Sequence, residues 1–311
     1  MMRSGQALTR MISPLSALAA AALTFVLFGA AAAQTPPAPF AGTGPYPAIS
    51  EPIASLPTHT LYRPRDLSAL KGAKLPILAW ANGDCVADSS QYRAFLTEIA
   101  SHGYLIVALG PWTDKPAAKP ATPPPGVSPT QSAQLIEGVK WARAENVRQG
   151  GPLHGLVDAD EVAVMGQSCG GVQALDISPD PVVKTSVIWN SGISIHPSPD
   201  SRVKITKDKL NQLHAPIAYF IGGPGDIAYA NATDDFARID RVPVMMANLS
   251  LGHMGNYSLP LGGPFAPVGV AWLDWRLKGD QKARAVFVGP HCGLCGDPAW
   301  TIQSKKLDDL P

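Results

Sequence analysis

The chain has 311 residues, is 46% hydrophobic and 16% charged, and carries a formal net charge of +1. This composition excludes a disordered or fibrous chain, and near-neutrality without any Lys/Arg run excludes an electrostatic nucleic-acid binder. A chain this long can bury most of its apolar surface as one α/β domain, so it needs no metal or disulfide merely to fold.

At the N-terminus, Arg3 and Arg10 precede an apolar run from Ile12 to Ala33, and Ala31-Ala32-Ala33 places small residues before Gln34. A basic region, an apolar region and an A-x-A site read as a secretory signal peptide with cleavage near Ala33; the alternative is an uncleaved N-terminal anchor. Cleavage removes Arg3 and Arg10 and no acid, taking the net charge from +1 to −1. No later segment has a membrane-spanning pattern, so the mature chain is expected to be free of the membrane, either periplasmic or extracellular. Residues 34–57 form a Pro/Ala-rich lead-in, and residues 58–311 a single domain.

From residue 58 short apolar runs alternate with helical periodicity. LPILAW (Leu75–Trp80) is a buried strand. Asp88, Ser89 and Ser90 offer caps to a helix carrying Tyr92, Phe95, Leu96 and Ile99, closed at His102-Gly103. Tyr104–Leu109 is the next strand, and residues 111–127 a Pro-rich loop. Gln131–Val147 is a helix. Glu161–Met165 is a strand running into Gly166-Gln167-Ser168-Cys169-Gly170-Gly171. Thr185–Trp189, Ile217–Ile221 and Val242–Leu249 complete the strands, and Val268–Leu277 begins a last helix with Trp272 and Trp275. The stretch 191–215 has room for one short helix, Lys207–Leu213, and no cap domain, which implies an open cleft. Such alternation predicts a mostly parallel sheet covered on both faces, with its site at the carboxyl ends of the strands.

The chemistry sits at those ends. Gly166-Gln167-Ser168-Cys169-Gly170 is a G-x-S-x-G sequence between a strand and a helix-capable segment, the setting in which a sharp turn projects a serine hydroxyl above a sheet. A serine needs a base to take its proton and an acid to orient the base. Asp226 follows the strand PIAYFI and Gly222-Gly223-Pro224-Gly225, and His253 follows PVMMANL. The order Ser168, Asp226, His253 on one rim makes them the candidate nucleophile, acid and base. Asp234 and Asp235 read instead as solvated charges at a helix start. The backbone N–H of Cys169 and one from the loop after LPILAW, Asp84 first and Gly83 next, are the candidate oxyanion donors; the Asp84 carboxylate should turn away from them. Trp112 and Gln167 are the candidate substrate contacts, whereas Trp189 belongs to the core.

The pieces LPILAWANGDC, LTEIASHGYLIVALG, VMGQSCGG, PIAYFIGGPGD, LGHMGNY and WLDWRLKGD resemble the α/β-hydrolase superfamily, within it the dienelactone-hydrolase-like, chlorophyllase-like and cutinase-like polyester-hydrolase branch. Gln167 and Cys169 depart from the residues usual beside the serine in the polyester hydrolases. The resemblance implies the α/β-hydrolase fold and cleavage of a small-molecule or polymer-end ester through an acyl-enzyme, with no cofactor and no metal. Peptide or amide cleavage by the same three residues, and a secreted binding protein on the same scaffold, remain alternatives; an acyltransferase would need a cleft closed to water. The fold implied by the resemblance makes the loops of Cys85 and Cys169 neighbours, which suggests a Cys85–Cys169 bond stabilising by roughly 4 kcal/mol. Cys292 and Cys295 would form the second, two free thiols at Cys85 and Cys169 being the alternative.

Overall fold

Runs of apolar residues bounded by Gly and Pro form the centre of a nine-stranded sheet in the computed structural model, which describes residues 40–115, 122–254 and 256–311. The signal-peptide reading and its cleavage site lie outside the described residues. The strands are β1 (Ala48–Pro52), β2 (His59–Pro64), β3 (Leu75–Ala81), β4 (Leu105–Leu109), β5 (Val157–Gln167), β6 (Thr185–Trp189), β7 (Ile217–Ile221), β8 (Val244–Leu249) and β9 (Trp300–Lys305). Their spatial order is β1-β2-β4-β3-β5-β6-β7-β8-β9. Strands β3 to β8 pair in parallel, and β1, β2 and β9 pair antiparallel at the two edges.

Every residue of β3, β4, β6 and β7 is buried. Both faces are therefore covered, and side chains alternate between two cores as the strand period demands. Leu78 and Trp80 join Phe95, Trp189, Phe220, Phe265 and Trp272 on one face. Ile77, Ala79 and Ala81 join Val107, Leu135, Val139 and Leu175 on the other. Helices α1 (Arg93–Ser101) and α5 (Phe265–Lys278) cover the first core. Helices α2 (Ala133–Val147) and α3 (Cys169–Ile177), with α4 (Tyr229–Arg238), cover the second. A short α6 (Gln281–Arg284) precedes β9.

Several expectations shift. The domain does not begin at residue 58, because β1 lies inside the lead-in and pairs with β2 through Ile49 and Arg63. Strand β8 starts at Val244, after Pro243, which has no N–H to give a ladder. Helix α2 starts two residues later than periodicity suggests, because the turn before it closes with three-residue bonds, the Gln134 N–H to the Gln131 carbonyl at 3.0 Å and the Leu135 N–H to the Ser132 carbonyl at 3.1 Å. Strand β5 begins at Val157 rather than Glu161; its polar start pairs with β3 across a register shift at Pro76/Ile77. The short helix expected from Lys207 is a 3-10 turn, Lys207–Gln212. Asp235 is not a solvated charge. It is 0% exposed on α4, accepts from Lys207 Nζ at 2.6 Å and from the Ile193 N–H at 2.9 Å. Burial pushes its carboxyl up to about 6 against the pull of Lys207.

Candidate active site

Strand β5 ends at Gln167, and the chain reverses into α3 in one residue. Ser168 makes that reversal with φ 52° and ψ −121°, a conformation an L-residue adopts only when its surroundings impose it. The glycines on either side make room for the turn. A Cβ at Gly166 would lie 2.2 Å from the Gly170 carbonyl oxygen, and one at Gly170 would lie 2.2 Å from that of Ala81. The Ser168 N–H donates to the Trp189 carbonyl at 3.0 Å, and the Ser191 hydroxyl to the Ser168 carbonyl at 2.6 Å. The candidate nucleophile is thus fixed from β5, β6 and α3 together.

The structure brings Ser168, His253 and Asp226 into one line. His253 Nε2 lies 2.9 Å from Ser168 Oγ, and Nδ1 lies 2.7 Å from Asp226 Oδ1. A carboxylate facing Nδ1 keeps the proton there and leaves Nε2 free to accept one from the serine. Asp226 follows β7 and is buried, and His253 follows β8. The two turns are joined by the Gly252 N–H donating to the Gly222 carbonyl at 2.9 Å.

Four donors surround the Asp226 carboxylate. Oδ1 accepts from His253 and from the Ala228 N–H at 2.9 Å. Oδ2 accepts from Asn190 Nδ2 at 2.6 Å and from the Gly222 N–H at 3.0 Å. Burial alone would push this acid up; His253, Ala228, Asn190 and Gly222 outweigh it and hold the carboxyl below its ordinary range. Asn190 was not foreseen. It follows β6 with φ 43°, and its Oδ1 accepts from the Tyr257 hydroxyl. Its position just past a strand carboxyl end is the one signal that could have found it.

The depressed Asp226 carboxyl has a consequence for stability. A carboxyl held low by the fold contributes stability above its unfolded value, near 4, and that contribution is lost as pH falls through the folded value. Asn190→Ala removes one of the four donors and brings the folded value back towards the unfolded one. The variant is expected to lose about 1–2 kcal/mol at neutral pH and to unfold in acid at a higher midpoint than the wild type, read by circular dichroism. An unchanged acid midpoint would show that Asn190 does not hold Asp226.

The loop after β3 lies beside the serine. The Gly83 N–H is already committed, donating to the Tyr92 hydroxyl at 2.9 Å. That removes Gly83 from the candidate oxyanion donors. The N–H groups of Asp84 and Cys169 have no hydrogen-bond partner among the described residues. Asp84 takes φ 52°, a left-handed conformation that Asp tolerates better than most residues. Its carboxylate pairs with Arg202 at 3.3 Å. The loop is held on all sides. Asn82 Nδ2 donates to Val86 and Leu109 carbonyls at 2.9 and 2.7 Å, and the Thr130 hydroxyl donates to the Cys85 carbonyl at 2.8 Å. Cys85 and Cys169 are disulfide-bonded, Cα atoms 5.2 Å apart, as are Cys292 and Cys295.

Two clefts meet at Ser168. One, of about 280 Å³, runs along Ser191, Ile193, Arg202 and Asn231. The other, of about 310 Å³, runs along Asp84, Tyr92, Gln167 and Met254. Ile227, 78% exposed, borders both. Gln167 does line the second cleft, but its amide is committed to protein partners. Oε1 accepts from Tyr92 at 2.8 Å, and Nε2 donates to the His253 carbonyl at 3.3 Å. Gln167 therefore ties the histidine turn to the β3 loop. Burial holds the Tyr92 hydroxyl well above its ordinary range, so it stays a donor. Trp112 lines neither cleft. The start of the Pro-rich loop runs towards the β1 edge, where Trp112 Nε1 donates to Ser50 Oγ at 3.3 Å. The later part of that loop reaches the site instead, through Pro123 and Val127 on Arg202. Trp189 is buried in the core, stacked on Phe220.

No protein-family model and no curated protein matches this sequence.

Proposed function

We propose that this protein is an exported serine hydrolase of the α/β-hydrolase fold that cleaves carboxylic esters. The observation that carries the reading is the line Ser168 Oγ, His253 Nε2, His253 Nδ1, Asp226 Oδ1, with contacts of 2.9 and 2.7 Å, set on a serine with positive φ at a strand-to-helix turn. The placement of the acid after β7, the base after β8 and a donor-bearing loop after β3 supports the same fold. All four cysteines are in disulfides, which suits an oxidising compartment outside the cytoplasm.

On this reading the reaction proceeds through an acyl-enzyme. Ser168 Oγ attacks the ester carbonyl carbon while its proton passes to His253 Nε2. The Asp226 carboxylate stabilises the imidazolium that forms. The carbonyl oxygen becomes an oxyanion that accepts from the N–H groups of Asp84 and Cys169, which have no other partner among the described residues. Collapse breaks the bond to the alcohol oxygen, and His253 returns its proton to that oxygen as the alcohol leaves. Water then attacks the acyl-serine by the same route, giving a carboxylic acid and regenerating Ser168. The two clefts supply one side for the acyl group and one for the alcohol.

The test is intact-mass spectrometry of the mature protein after treatment with a fluorophosphonate. A single adduct mapped to Ser168 in the wild type and absent from Ser168→Ala is the expected result. Folded wild-type protein that takes no adduct would move the weight to a binding protein on this scaffold.

A further inference from the structure

Arg202 lines the first cleft and reaches across to Asp84, which lines the second. Arg202 lies in the loop between β6 and β7, and its side chain is 19% exposed. Its guanidinium ties its own loop to two others, those after β3 and β4. Nε donates to the Val127 carbonyl at 3.2 Å, Nη2 to the Pro123 carbonyl at 2.8 Å, and Nη1 to Asp84 Oδ1 at 3.3 Å. A backbone bond from Gly126 N–H to the Asp200 carbonyl, 2.9 Å, fastens the same two loops beside it.

The Asp84 end of this contact is the unusual part. On the hydrolase reading, the Asp84 N–H is one of two donors to a full negative charge. A carboxylate on that residue, half-exposed though it is, opposes the charge its own N–H must stabilise. Arg202 is the basic side chain that meets this carboxylate among the described residues.

We infer that Arg202 is a positioning residue for the oxyanion site: it holds the Asp84 carboxylate, cancels its charge and fixes the left-handed turn that presents the Asp84 N–H. The inference rests on the serine-hydrolase reading. Although Arg202 lines the first cleft, the inference gives it its role through Asp84, so its removal acts on the transition state more than on binding.

The experiment is a double-mutant cycle on the full mature chain, with a p-nitrophenyl ester as substrate and fluorophosphonate labelling of the wild type as the entry control. Arg202→Gln is expected to lower kcat about tenfold, less than the hundredfold to thousandfold that follows loss of a whole donor, with KM little changed. Asp84→Asn added to it is expected to restore most of the lost kcat, because the uncompensated charge is then gone. Arg202→Lys, which keeps the charge but not the fork, is expected to fall between wild type and Arg202→Gln and serves if Arg202→Gln folds poorly. A loss that Asp84→Asn fails to rescue would make Arg202 only a strap between loops, and a loss confined to KM would make it a substrate contact; either overturns the inference. A wild type that takes no fluorophosphonate label fails at the earlier step, and so fails the hydrolase reading separately.

Discussion

Asp226→Asn is expected, on the serine-hydrolase reading, to lower kcat for an activated ester about ten-thousandfold while the folded structure survives. The reason lies in how the four donors constrain an amide. If the amide nitrogen took the place of Oδ2, it would face two donors, Asn190 Nδ2 and the Gly222 N–H. If it took the place of Oδ1, it would meet one fixed donor, the Ala228 N–H, and the histidine ring, whose tautomer can change. The second arrangement is less costly, and it damages the chemistry most. An N–H facing Nδ1 pulls the imidazole proton to Nε2, the atom that must accept from Ser168 Oγ at 2.9 Å. The serine then has no base although every atom is near its original place. The measurement is kcat and kcat/KM on a p-nitrophenyl ester, beside a thermal melt that separates a catalytic defect from an unfolded protein. A variant that retains more than about a tenth of the activity would remove Asp226 from the reaction, since a wrong tautomer cannot support it.

The residues that make this prediction possible differ in how readable they were. Ser168, Asp226 and His253 each follow an apolar run that can only be a buried strand, and glycines mark where those strands stop. Strand ends in a parallel sheet share one rim, so linear order was enough to place all three together. The Cys85–Cys169 pairing came instead from the resemblance, whose implied fold makes those two loops neighbours. The edges of the sheet were harder. AISEP and TIQSK alternate weakly because each strand is only half covered, and a run without a continuous apolar signal does not stand out from loop.

Polar side chains buried by distant partners were not legible. Asp235 looks like a surface charge on a helix until Lys207, 28 residues away, is seen to bury with it. Asp84 was placed ahead of Gly83 from the sequence, but the physical reason was not legible there: the Tyr92 hydroxyl takes the Gly83 N–H and leaves that of Asp84 without a partner among the described residues. Trp112 illustrates the opposite error. A loop that leaves the right strand end can still turn towards the wrong edge, and nothing local tells which part of it comes back.

The second large effect is expected at Cys85–Cys169. Replacing both by Ala removes a link between positions 84 residues apart, and the chain-entropy model gives that link roughly 4–5 kcal/mol. For a domain of this size that is a fall in Tm of about 10–15 °C by differential scanning calorimetry. Cys292–Cys295 closes a separation of only 3 residues, and the same model gives it about 1.5 kcal/mol, so the two double variants should differ plainly. The first bond also differs in what it joins. Cys169 carries one free N–H and Cys85 follows the residue that carries the other, so on the proposed reading the bond holds the two oxyanion donors together as well as the fold. With Cys85 and Cys169 both Ala, kcat should fall about tenfold at a temperature well below the melt, with KM little moved. A larger fall is not expected, because Asn82, Tyr92 and Thr130 still grip the loop through side-chain hydrogen bonds. Replacing Cys292 and Cys295, which line neither cleft, should leave kcat unchanged. If the Cys85/Cys169 variant lost stability but kept full kcat, the bond would serve the fold alone, and the donors would owe their alignment to those three side chains.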